Sequence, residues 1–156
     1  MAEFNVLIDW RQESDDFSYE KYDRDHFWKF GGGKVVEASA APDFKGRAEY
    51  VNPEEAFIAS LASCHMLTFL AIASFKKLHV KLYQDEAVGI VEKNEKGKMA
   101  VTKVILKPFI LFADNLQLAK EELMKLHEKA HKECFISNSI LTDISIEPVL
   151  ARAEVF

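Results

Sequence analysis

Residues 52–78, NPEEAFIASLASCHMLTFLAIASFKKL, read as one helix. It runs for about six turns with almost no polar side chain in its middle. Asn52 is placed to cap it, Pro53 fits its first position, and Glu54 and Glu55 fall in its first turn. Those glutamates, with Lys76 and Lys77 at the other end, suit the dipole of a soluble helix. The stretch approaches the length of a membrane span, yet Ser60, Ser63, His65, Thr68 and Ser74 interrupt it. A helix this apolar is expected to be buried on nearly every face. In its middle stands Cys64, between Ser63 and His65.

The rest of the chain supplies strands. Residues 3–12 alternate, with Phe4, Val6, Ile8 and Trp10 on one face. After an acidic connector in which Phe17, Tyr19 and Tyr22 can pack locally, arms at 26–30 and 34–40 flank Gly31-Gly32-Gly33 as a hairpin. Beyond the central helix, two strand-like runs at 79–94 and 98–112 form a long hairpin, with an edge or a bulge expected at Pro108. Residues 115–133 have the period of an amphipathic helix whose buried side is Leu116, Leu123, Leu126 and Ala130. Cys134 ends it, and a last strand carries Ile140, Thr142, Ile144 and Ile146. The order β, β, β, α, β, β, α, β predicts an α+β fold with a largely antiparallel sheet.

With 156 residues, 49% hydrophobic and 29% charged, the chain reads as a single soluble domain over 1–156. A net charge of −5 with scattered Lys and Arg gives no nucleic-acid or membrane footprint. Twelve Phe point to large apolar contacts, a subunit interface among them. No signal peptide is read at the N-terminus, and two cysteines without one argue for the cytosol rather than a secreted disulfide scaffold.

Chemistry can sit at those cysteines. Either is a small hydrophobe by default. A reactive Cys64 requires a cationic or hydrogen-bonding neighbour to lower its pKa, and His65 points roughly 100° away around the helix. Pairing Cys64 with Cys134 requires the central helix and the end of the second helix to converge. A metal reading can draw on His131-x-x-Cys134 and Cys64-His65. It lacks a second closely spaced pair, and consecutive Cys-His on a helix cannot converge on one ion, so no metal is assigned. His26, His79 and His127 read as surface or satisfied histidines. GxSxG, P-loop and GxGxxG patterns are absent, and the GGG is a turn.

NPEEAFIASLASCHM resembles the NPEE(L/A)…A(A/S)C motif of the OsmC/Ohr family of thiol-dependent peroxidases. HKECFISNSI resembles that family's second-cysteine motif, and YDRDHFWKFGGG resembles the SRDHxWxF start of one OsmC-like branch. The resemblance covers nearly the whole chain. It implies an intertwined homodimer with the OsmC-like fold and two active sites at the subunit interface. It further implies a hydroperoxide reductase in which Cys64 is peroxidatic and Cys134 resolving. Their disulfide would be reduced by an external dithiol, of lipoyl type in the better-studied members, with no bound cofactor. Glu54 matches the family glutamate that accompanies a thiolate-steadying arginine, for which Arg24 fits best, with Arg11 and Arg47 as fallbacks. Ten residues of helix separate Glu54 from Cys64 by roughly 15 Å, so either the helix breaks or Glu54 serves the partner's Cys64. His65 stands where better-known members often carry Phe. The alternatives are a non-enzymatic OsmC-like protein binding a small ligand, and a metal module using His131 and Cys134.

Overall fold

A computed structural model describes residues 1–150. The chain divides into two compact units, Met1–Ala56 and Phe57–Phe156. In the first, β1 (Val6–Asp9), β2 (His26–Phe30) and β3 (Val35–Ala38) form an antiparallel meander. The first strand is shorter than the alternation of residues 3–12 predicts. At the GGG turn, Gly33 takes φ +84° and donates its N–H to the Phe30 carbonyl, while Phe30 N–H closes the hairpin on Lys34. The acidic connector packs locally as expected. Phe17 lies against Trp10 and Tyr22 at centroid distances of 5.7 and 5.3 Å, and Trp10 Nε1 donates to the Asp23 carbonyl. Buried Ser39 donates to Asp25 Oδ1 and accepts Arg47 N–H, tying the loop after β3 back to it.

Asn52 caps α1 (Pro53–Phe75) as its position predicts, accepting Glu55 N–H at 2.8 Å while the Glu55 carboxylate reaches back to Asn52 N–H at 3.4 Å. The helix is unbroken. Its buried stripe, Leu61, His65, Phe69, Ile72 and Ala73, follows helical spacing. The other side departs from the expectation of burial on nearly every face, for Leu67 is 60% and Phe75 90% exposed. Nothing among the described residues covers that side. Length and apolarity alone would let α1 cross a membrane, but its inner stripe is packed on protein.

In the second unit, the long hairpin breaks in both arms. β4 (Val80–Asp85) pairs with β7 (Pro108–Phe112), and β5 (Val88–Lys93) with β6 (Met99–Leu106), in separate antiparallel sheets. Pro108 sits at the break, where Lys107 N–H turns aside to Asp85 Oδ1 at 2.7 Å. β8 (Asp143–Ile146) lies parallel to β6. Phe69, Ile72 and Ala73 of α1 pack with Leu123, Leu126 and Ala130 of α2 (Lys120–Glu133), and Leu61 packs with Val104, Leu106 and Cys134.

The second helix starts five residues later than predicted. Asp114 and Asn115 take φ of 55° and 54°, a left-handed turn that such residues tolerate, and the chain stays out of the helix until Lys120. Leu116 is consequently 44% exposed, not part of the buried side.

Candidate active site

Two elements deliver the thiols. Cys64 lies mid-way along α1, on the flank of its buried stripe, and Cys134 occupies the C-cap of α2 in extended conformation. The apolar cluster of Leu61, Val104 and Leu106 fixes both. The sulfurs lie 2.7 Å apart with both thiols free, Cys134 donating toward Cys64. Cys134 is fully buried, Cys64 half-buried.

Burial pushes the Cys64 thiol up, and the Cys134 thiol beside it adds to the rise. The backbone N–H groups of Ile136 and Phe135 pull it the other way. No described cation figures among these influences. What lowers this thiol is therefore peptide groups of the turn after α2.

A second buried polar pair joins the same two helices. His65 Nε2 and His127 Nδ1 are 3.0 Å from one another, the rings stacked at 5.3 Å and Phe69 against His127. Both are wholly buried. Burial, then the charge of His131, lowers His65 to about 4; burial, then His65, lowers His127 to about 3. Two neutral imidazoles thus share one hydrogen between α1 and α2. The helical wheel held the signal, since His127 falls on the buried side with Leu123 and Ala130.

The arginines differ in what holds them. Arg47 pairs with Asp25 at 2.6 Å and Arg11 with Asp9 at 3.4 Å. The Arg24 guanidinium donates to the carbonyls of Tyr19 and Tyr22 and lies 3.6 Å from the Tyr22 ring centroid. Its Nε is buried without a partner, and among the described residues no carboxylate pairs with it. Glu54 stands in the first turn of α1, ten residues before Cys64 on the same unbroken helix. The structure brings Cys64 and Cys134 together; ten residues of unbroken helix correspond to about 15 Å along the axis between Glu54 and Cys64. Among the described residues, no group of three His, Cys, Asp or Glu is placed to hold a metal.

These features define a class: α+β proteins in which a thiol on a long apolar helix meets a second thiol at the end of a shorter one. Residues 46–149 match the model of the OsmC-like protein family. The chain belongs to that family. An OsmC-like protein of unknown function from Vibrio cholerae is 42% identical, with a TM-score of 0.91 over 96% of this chain and 100% of that one. The uncharacterized protein YmaD of Bacillus subtilis is 27% identical, over 74% of this chain and 77% of its own length. The organic hydroperoxide resistance protein OhrB of Bacillus subtilis shares the fold at 18% identity, with a TM-score of 0.66 over 95% of this chain and 98% of that one.

Proposed function

We propose that this protein is a cytosolic, homodimeric hydroperoxide reductase serving oxidative-stress defence. The observation that carries the reading is the 2.7 Å approach of two free thiols from different helices. The Cys64 thiolate attacks one oxygen of an organic hydroperoxide, the O–O bond breaks, and an alcohol leaves with a proton. Cys64 is then a sulfenic acid. The Cys134 thiol displaces its hydroxyl as water, forming a disulfide. An external dithiol, of lipoyl type on the family resemblance, supplies two electrons and two protons and itself becomes a disulfide. Hydrogen peroxide would react the same way.

Arg24 and Glu54 complete the site across the dimer in this reading. The unbroken α1 supports that role for Glu54, because a residue 15 Å away on the same helix can act only on a partner's thiol. Arg24, with no carboxylate to neutralise it among the described residues, is the arginine best able to steady that thiolate. The apolar side of α1 left uncovered at Leu67 supports a partner chain.

The test mixes reduced protein with one equivalent of an organic hydroperoxide and counts thiols and remaining peroxide. Both thiols and the peroxide should disappear. The Cys64→Ser variant should consume none, whereas Cys134→Ser should hold a sulfenic acid that dimedone traps. Wild-type behaviour in both variants refutes the assignment. The raised Cys64 thiol favours one competing reading, a non-enzymatic small-ligand protein with structural cysteines. Surviving thiols together with saturable ligand binding would select it.

A further inference from the structure

The turn after α2 has an internal order that the helix end alone does not require. Asn138 Nδ2 donates to the carbonyls of Lys132 and Cys134 at 2.9 and 3.0 Å, and Asn138 N–H donates to the Cys134 carbonyl at 3.1 Å. Ser139 Oγ donates to the Phe135 carbonyl at 2.7 Å, and Ser139 N–H to the Ile136 carbonyl at 3.0 Å. The carbonyls of three successive peptides are thus all held by Asn138 and Ser139. In a trans peptide the N–H points opposite to the carbonyl. The N–H groups of those same peptides belong to Phe135, Ile136 and Ser137. Ser137 N–H reaches Cys134 Sγ at 3.5 Å, and that sulfur lies 2.7 Å from Cys64 Sγ. The peptides of Phe135 and Ile136 lower the Cys64 thiol against its burial.

We propose that residues 134–139 form a peptide cradle for negative charge on the two sulfurs, with Asn138 and Ser139 as the positioning residues that aim it. Successive N–H groups converging on one anion are a known electrostatic device, and oriented in advance they need no reorganisation when charge develops. The cradle's N–H contact falls on Cys134 Sγ, 2.7 Å from Cys64 Sγ, so it serves the thiolate that attacks and the sulfur that carries charge when the disulfide is reopened. The Phe135 side chain is 83% exposed, so what that residue gives the site is its peptide. The proposal rests on the reading of Cys64 as the reacting thiol. It supplies, from within one chain, the hydrogen-bonding neighbour that no described cation provides.

The experiment follows iodoacetamide alkylation of Cys64 against pH in a Cys134→Ser background, where Cys64 is the sole cysteine. Asn138→Ala removes the side-chain bonds to the Lys132 and Cys134 carbonyls and Ser139→Ala the one to the Phe135 carbonyl, while the backbone bonds of both residues stay. Phe135→Pro deletes one N–H outright, and the Cys134 angles of −73° and 120° suit a residue preceding proline. Each variant, checked for folding by circular dichroism, should raise the alkylation midpoint by about one pH unit, the worth of one hydrogen bond to a charged group. An unchanged midpoint overturns the proposal. So does a rate lowered equally at every pH, which would mark altered access instead. If Phe135→Pro does not fold, the other two variants decide. Alkylation uses no peroxide, so the midpoint judges the cradle whether or not the protein turns over a hydroperoxide.

Discussion

At the residue scale, the imidazole pair sets how the protein responds to acid. His65 and His127 titrate near 6.5 when unfolded and at about 4 and about 3 when folded. Their neutral forms suit the core, so their contribution is intact above pH 6.5. It is lost as pH falls from there toward those folded values, at up to about 1.4 kcal/mol per pH unit for each ring. Urea midpoints of the wild type should therefore fall between pH 7 and pH 5. The double variant His65→Leu/His127→Leu removes both partners of a buried hydrogen bond, a change expected to be nearly neutral at pH 7.5. Its midpoint should be flat over that pH range, and a wild-type slope in it would refute this account. Residue chemistry made Cys64 and Cys134 the candidates, and the resemblance alone gave them roles. The helical wheel puts His127 on the buried side of α2, but its pairing with His65 was out of reach because the two rings lie 62 residues apart and neither has a motif of its own. The turn's contribution was further out of reach, since peptide N–H groups leave no mark on side-chain patterns.

At the scale of elements, α1 lies so close to β5 that one atom matters. A Cβ built on Gly89 would fall 2.3 Å from Ile58 Cδ1 and 2.7 Å from its Cγ1. Gly89→Ala should therefore cost about 1–3 kcal/mol, the usual penalty for overpacking, measured by urea unfolding. In a double-mutant cycle with Ile58→Ala the costs should be less than additive, and strict additivity would mean the two do not meet. The start of α1 was legible because its cap is chemical: Asn52, Pro53 and Glu55 act within four residues. The meander's hairpin was legible in its glycines. The late start of α2 was not, because nothing in residues 116–119 breaks the helical pattern. Left-handed backbone at Asp114 and Asn115 decides it instead. Splitting of the long hairpin into two sheets was foreshadowed only by Pro108. The partner that completes the break is the carboxylate of Asp85, a contact across the pair.

At the scale of the whole molecule, much apolar surface is exposed among the described residues. Val6, Leu7 and Ile8 of β1 are each more than half exposed, as are Leu67 and Phe75 of α1. Patterns of alternation and helical period told which residues are apolar, but not that the chain alone would leave these uncovered. If Glu54 serves the partner's thiol, mixing two inactive variants should restore activity. A heterodimer of Cys64→Ser with Glu54→Gln carries both lesions at one site and none at the other. Peroxide consumption should thus reappear on mixing and subunit exchange, whereas a Glu54 acting within its own chain predicts none. The thiol contact also has a thermodynamic side. The two cysteines are 70 residues apart, and a bond between them would close that length of chain in the unfolded state as well. On a chain-entropy argument this favours the folded form by about 4 kcal/mol. In the proposed cycle each peroxide consumed would therefore leave the protein harder to unfold, and each reduction would return it to its looser form. Stability would then fluctuate with the oxidant load, lowest when the protein is ready to act.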